Sequence, residues 1–306
     1  MADLSLEAMP GATGLYLRAL APTRRPDVAA GLPERAVLLS GHRCTVAEVA
    51  AYDRVCGFTL GDTLPATWLH VLTFPLQLTL MTAGDFPLAP AGMVHVRNEL
   101  TQHRAALITE AFDLAVRAEN LRPHRHGVLV DLIGEVRVGD ELVWQGLSVY
   151  LSRHARLPGE PGADGPGGRG DGGDSDRGPY APQAADAGAP VLRPAGLWRL
   201  PADLGRRYAA VSGDVNPIHL NPLAAQAFGF PRTIAHGMWS HARLLAALQP
   251  RLPAAFTARV QFAKPVLLPS TLRYAVAAKE HGYAAALSSS CGDRVHLTLD
   301  LARTQS

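Results

Sequence analysis

The sequence predicts an α+β fold made of two similarly ordered halves. Three observations predict it. Segments alternating apolar and polar residues with period two follow apolar stretches that carry helical start and stop signals. That order, helices and then strands, occurs twice along the chain. A tract crowded with Gly, Pro and Asp, residues 156–190, separates the two occurrences. Period-two segments of this kind read as half-buried antiparallel sheet.

Bulk properties bound the answer further. A chain of 306 residues suggests two domains or one large one. It can bury a core without a metal or disulfide staple. With 47% hydrophobic and 18% charged residues it has the composition of a globular protein. A formal charge of +2 does not supply the basic face that nucleic-acid binding demands, so no nucleic-acid partner is expected. The three cysteines, Cys44, Cys56 and Cys291, are odd in number and match no zinc spacing or disulfide framework. They fit a reducing cytoplasm. The opening "MADLSLEAMPGATGLYL" lacks the basic start and apolar run of a signal peptide. No stretch approaches the roughly 18 uninterrupted apolar residues of a membrane span.

In the first half, a helix should begin near Thr45, and an apolar helix should cover 72–81. Strands should follow at 94–98, 107–116, 128–138 and 142–151. Phe112, Leu114 and Val116 share one face, as do Val130, Leu132, Val136 and Val138. "RPHRHG" (122–127) reads as a solvated hairpin turn, although its charge could also meet the phosphates of coenzyme A or an acidic carrier protein. Residues 156–190 hold almost no large apolar side chain before Tyr180. They cannot bury enough surface to offset their ordering entropy, so a disordered linker is expected, with "GGRGDGG" as low-complexity filler.

In the second half, a short helix is expected over 204–211. Asn221-Pro222 reads as an N-cap with Pro at the first helical position, opening a helix to 227. After a Gly-Phe-Pro break, an apolar helix should run over 237–248, closed by Pro250. Val260 and Phe262 then alternate with polar residues. Leu272, Tyr274 and Val276 share a face, and Val295, Leu297, Leu299 and Leu301 lie opposite His296, Thr298 and Asp300.

The two halves can be laid over one another. "AYDRVCGF" (51–58) covers "RYAAVSGD" (207–214), pairing Tyr52 with Tyr208, Val55 with Val211 and Gly57 with Gly213, each 156 positions apart. The copies then part. Phe58 stands where the second half has Asp214, and nothing in the first half resembles the "NPIH" that follows Val215.

That segment, "SGDVNPIHLNP" (212–222), is the strongest chemical signal. An acid and an imidazole aimed into one cleft can hold a water and move two protons in one event. Imidazole titrates near neutrality and can give or take the proton. Pro217 fixes its own φ, and Asn216 can hydrogen-bond its own backbone, so both stiffen the loop. No Gly-rich phosphate loop lies at a strand-to-helix junction. As a bare pair, Asp214 and His219 could equally be a turn former and a polar residue beside a helix.

The wider segment "YAAVSGDVNPIHLNPLAA" (208–225) resembles the signature of the MaoC-like, (R)-specific enoyl-thioester hydratase/dehydratase family. Tyr208, Val211, Ser212, Gly213, Asp214, Asn216, Pro217, Ile218 and His219 fill it, with Ala225 as the later small residue. "TIAHGMWSHARL" (233–244) is similar to the start of that family's central helix, and "VQFAKPVLLPSTL" (260–272) to its strand, turn and strand. The signature-bearing resemblance covers about residues 195–302. Through "HVLTFPLQLTLM" and "GMVHVRNELTQHRA", the whole chain looks most like actinobacterial 3-hydroxyacyl-thioester dehydratases with two modules.

The resemblance implies a double hot-dog fold, in which each module wraps a sheet around a central helix. Residues 1–155 would form a module without the catalytic motif, 156–190 the linker, and 191–306 the catalytic module. The implied reaction is syn addition of water to a trans-2-enoyl thioester of coenzyme A or a carrier protein, and its reverse. Neither metal nor redox cofactor is implied. Asp214 and His219 become the catalytic pair, Asn216 orients the loop or the water, and Ser212 packs or hydrogen-bonds Asp214. The backbone N–H of Gly237 would receive the thioester oxygen at a helix tip. Phe58, Leu69, Leu72 and Phe74 would line the acyl tunnel, and Lys264 could meet substrate phosphate. His236 and His241 are expected at a helix cap or the surface. One chain would form a pseudo-dimer, alone or as part of a homodimer. An acyl thioesterase or a non-catalytic acyl-binding protein are rival readings, but neither needs the Asp-His pair.

Overall fold

The computed structural model describes residues 2–20, 25–157 and 190–304. The tract expected to be a linker lies almost wholly outside them. Residues before it form β1 (Leu4–Leu6), α1 (Ala12–Leu20), β2 (Val37–Arg43), α2 (Val46–Cys56), α3 (Ala66–Thr82), β3 (Val94–Gln102), β4 (Ala111–His124), β5 (Gly127–Val138) and β6 (Glu141–Ser152). Residues after it form β7 (Arg193–Leu200), α4 (Leu204–Ser212), α5 (Pro217–Leu220), α6 (Pro222–Ala227), α7 (Gly237–Leu248), β8 (Phe256–Phe262), β9 (Ser270–Lys279), β10 (Gly282–Ser289) and β11 (Val295–Arg303).

The strands form one sheet, ordered β1-β2-β4-β5-β6-β3-β8-β11-β10-β9-β7. All neighbours are antiparallel except β1 and β2. From β2 to β7 the order is palindromic: each half contributes the same five-strand series, read from the outside to the centre. The halves meet where β3 pairs with β8, and there Thr101 faces Thr257 with hydroxyl oxygens 3.0 Å apart.

The expected repeat is visible in the helices. Thr45 caps α2 with a capping box to Glu48. Gly57 ends α2 and Gly213 ends α4, both left-handed at φ 83° and 70°, a conformation that costs glycine least. Tyr52 and Tyr208 are buried and meet with ring centroids 6.2 Å apart. The central helices also correspond. Trp68 and His70 hold the third and fifth positions of α3, and Trp239 and His241 the same positions of α7.

Helix α3 is longer than expected. It starts six residues before Leu72, at Ala66, and is buried without a break from there to Leu78. A helix apolar all round has to be enclosed, and this one packs on β4 and β5. A single core unites both halves, from Val37 through Tyr52 and Trp68 to Trp239 and Leu301. One expected face breaks its pattern. Pairing of β10 with β11 steps from Leu287–Leu297 to Ser288–Val295, leaving His296 as the extra residue. That bulge turns His296 inward and leaves Val295 37% exposed.

Candidate active site

The first half runs from Gly57 to α3 through a short loop. The second half inserts residues 214–236 at the same point, and this insertion carries the motif. The segment is stiffened residue by residue. Ser212 Oγ donates to the Tyr208 carbonyl at 2.8 Å and accepts from the Asp214 N–H at 3.2 Å. Asn216 Oδ1 accepts from the Ile218 N–H at 3.3 Å and so caps α5, with Pro217 at its first position. Asn221 Oδ1 caps α6 through Leu223 and Ala224. At Gly205 a Cβ would come 2.1 Å from the carbonyl oxygen of His219. Backbone therefore packs on backbone behind the imidazole, and only glycine fits.

Asp214, His219 and His236 converge, their ligand-type atoms all within 4.8 Å of one another. Asp214 keeps 26% of its side chain exposed, toward the cleft, while His219 is 8% exposed. His219 Nδ1 lies 2.8 Å from the Ile234 carbonyl. A carbonyl only accepts, so Nδ1 carries the proton and Nε2 is left with a free lone pair. Burial pushes the His219 pKa below the usual imidazole value, against the pull of Asp214, so the ring is neutral at neutral pH. Burial also raises the Asp214 carboxyl, but the charge of His236 and His219 in acid, where they protonate, and the hydrogen bonds from the Tyr16 hydroxyl and the Asn216 N–H outweigh it and hold the net value below the ordinary one. The pair is thus a carboxylate beside a neutral imidazole.

The cleft, about 540 Å³, is shared by both halves. Gly237, the first residue of α7, lies on its wall. Its N–H has no acceptor within the helix, and the helix dipole adds positive potential there. A Cβ at this position would come 2.9 Å from Phe262 Cε1. Lys264 also lines the cleft, as does Phe74. Phe58 and Leu72 do not. Phe58 stacks on Tyr52, centroids 6.3 Å apart, between the halves. Leu72 is buried in the core, off the α3 face formed by Val71, Phe74, Leu78 and Met81, which does line the cleft. Leu69 is likewise core. The "RPHRHG" segment spans the end of β4, the turn and the first residue of β5. None of its residues lines the cleft, although Gly127 packs against the backbone of Arg153, which does.

A family model described as MaoC like domain matches residues 184–288. The 3-hydroxyacyl-thioester dehydratase X of Mycobacterium tuberculosis (strain ATCC 25618 / H37Rv) is 41% identical over 268 residues, 87% of this chain and 89% of that protein. The chain belongs to the MaoC-like dehydratase family. The crystal structure of HtdX of Mycobacterium tuberculosis superposes with a TM-score of 0.73 at 37% identity, covering 88% of this chain and 100% of that one. A Mycobacterium tuberculosis protein described as having a double hotdog fold aligns with a TM-score of 0.50 at 16% identity, over 96% of this chain and 98% of that one. The double hot-dog architecture expected from the sequence is the architecture of this MaoC-like chain.

Two residues around Asp214, His236 and Tyr16, were not legible as such, and His241 was misplaced. His236, expected at a helix cap or the surface, does precede α7, but it is only 2% exposed. Its Nε2–H donates to the Asp214 carbonyl at 2.9 Å, and its ring stacks on His219. His241, also expected near the surface, is fully buried in α7. Tyr16 of α1 donates from its hydroxyl to Asp214 Oδ1. The spacing of Asp214, His219 and His236 would also suit a metal ion. The ring geometry suits it poorly. Stacked rings, 27° from parallel, direct their in-plane lone pairs side by side rather than to one point.

Proposed function

We propose that this protein is a hydro-lyase that interconverts trans-2-enoyl thioesters and (R)-3-hydroxyacyl thioesters, carried on coenzyme A or an acyl carrier protein, in fatty-acid metabolism. The observation that carries the reading is the convergence of the Asp214 carboxylate and the unprotonated Nε2 of His219 in a cleft that also holds the tip of α7. In hydration, a water between the two groups gives its oxygen to C3, and a proton passes through the pair to C2. In dehydration one group takes the C2 proton and, because both start unprotonated, that same proton is relayed through the pair to the departing 3-hydroxyl, which leaves as water. The Gly237 N–H receives the negative charge that develops on the thioester oxygen.

The first half serves as a non-catalytic module. It has no counterpart of residues 214–236, and Ala66 stands at the place of Gly237. It contributes instead the apolar wall of the cleft, Val71, Phe74, Leu78 and Met81, which suits an acyl chain. Because one chain already pairs two modules, a monomer suffices for one complete site. The free thiols Cys44, Cys56 and Cys291 support a cytoplasmic setting. Among the described residues no helix is long and apolar enough to cross a membrane.

The test is a ladder of trans-2-enoyl-CoA lengths, followed by loss of the conjugated enoyl absorbance and by chiral analysis of the product. An (R)-3-hydroxyacyl-CoA product supports the reading. Release of free thiol instead would make the protein a thioesterase, and binding without any change in absorbance would make it a non-catalytic acyl-thioester binder.

A further inference from the structure

Helix α1 stands outside the repeat. Among the described residues of the second half, no helix precedes β7. Yet α1 packs on α3, and its first residue abuts the catalytic loop, since a Cβ on Gly213 would come 3.3 Å from Ala12 Cβ. Leu15 and Ala19 anchor it at 4% and 7% exposure. From this helix the Tyr16 hydroxyl donates to Asp214 Oδ1, which also receives the Asn216 N–H at 3.3 Å. Oδ1 is therefore occupied by two donors. Oδ2 is not: the closest imidazole, His236 Nε2, is 3.8 Å away and gives its proton to the Asp214 carbonyl instead.

We propose that Tyr16 is a positioning residue, which holds Asp214 Oδ1 so that Oδ2 alone is presented to the reacting water or hydroxyl. The inference rests on the hydro-lyase reading above. A hydroxyl donating to a carboxylate makes a charge-assisted bond, stronger than a neutral one. It fixes the carboxylate rotamer and favours the ionised form. Burial and the Asp214 charge raise the Tyr16 pKa far above its ordinary value, so the phenol keeps its proton and stays a donor. Other groups face the carboxylate from every side: His219 of α5, His236 ahead of α7, His70 of α3, His95 of β3, Tyr150 of β6 and Tyr208 of α4. The histidines are neutral near pH 7, because burial lowers each of them. Tyr150 and Tyr208 stay protonated, since burial raises both. Across the acid range Tyr16 is thus a constant donor, and removing it acts on Asp214 directly.

The experiment is the pH profile of kcat/KM and kcat for Tyr16→Phe on crotonyl-CoA, with Asp214→Asn assayed beside it. Phenylalanine keeps the ring and removes only the donor. The expected kcat loss is about 10- to 100-fold, the rate equivalent of one hydrogen bond to a charged group, with KM little changed. Loss of the donor raises the Asp214 pKa, so the acid limb should move up by about one pH unit. With rates normalised at each pH to the folded fraction read by circular dichroism, acid unfolding drops out of the limb, and its position separates positioning from a merely structural role. An unmoved limb overturns the proposal, whether or not rate is lost. If Asp214→Asn is fully active, the hydro-lyase reading itself falls. If Asp214→Asn is dead and Tyr16→Phe keeps the wild-type limb, only the role of Tyr16 falls.

Discussion

The imidazoles of His219 and His236 stack with ring centroids 3.6 Å apart, and each ring is pinned through one nitrogen to a backbone carbonyl. The stack leaves His219 little rotational freedom. Preorganisation of a proton-transfer group is worth a large part of its effect. His236→Ala should therefore lower kcat by at least about tenfold with KM little affected. His236→Phe, which keeps a ring in the stack, should recover part of that loss. Equal activity of the Ala and Phe variants in steady-state kinetics would show that stacking is irrelevant.

Gly237→Ala should impair the oxyanion contact. The new methyl would sit 2.9 Å from the Phe262 ring, so the ring or the helix tip has to move. A misplaced amide donor should cost about tenfold or more in kcat. Melting temperature should fall little, because Phe262 borders the cleft and can shift into it. Wild-type kinetics in this variant would place the thioester oxygen elsewhere.

Acyl-chain preference should respond to Leu78 and not to Leu72. Leu78 lines the cleft and Leu72 lies in the core. Leu78→Trp should abolish turnover of long enoyl-CoA substrates while sparing crotonyl-CoA. Leu72→Ala should leave the length profile intact and cost about 2–5 kcal/mol of stability, as core truncations do. A changed length profile in Leu72→Ala would reverse the assignment of the two faces of α3.

Folding stability should fall on the acid side. Burial lowers His70 to about 4, and His236 and His241 to about 3, while unfolded imidazole titrates near 6.5. Between those values the unfolded chain binds more protons than the native one, so acid favours unfolding. Stability is full above about pH 6.5 and declines as pH drops toward 4, each such group contributing up to about 1.4 kcal/mol per pH unit. Urea midpoints across this range check it. His241→Leu should flatten the slope by about one proton. A slope that His241→Leu leaves unchanged would mean that His241 is not neutral in the native state.

The loop proposed to be catalytic stood out in the sequence because its residues are adjacent. Asp214, Asn216, Pro217 and His219 lie within six residues, and Gly213 marks the turn. The bounds of α7 and most strand faces were legible because their periodicity was clean. Other features were not. Tyr16 lies 198 positions from Asp214, on a nine-residue helix that contains Gly14, so nothing local links the two. Strand β7 carries Pro194 and Gly196 and lies at the sheet edge, where proline is tolerated but the strand signal is weak. Strand β10, "GYAAALSS", is alanine-rich and shows no alternation. Leu69 and Leu72 were misplaced because a helix buried on every side has no period to show which face meets a cavity, and Phe58 because it lies in the loop between α2 and α3, where no period applies.

The most direct measurement is hydration of crotonyl-CoA by Asp214→Asn and His219→Ala, each with a melting curve beside it. Carboxylate and imidazole acting as one unit should make either single variant lose nearly all activity, with melting temperatures close to that of the wild-type protein. Wild-type turnover in either folded variant would contradict the assignment of this pair.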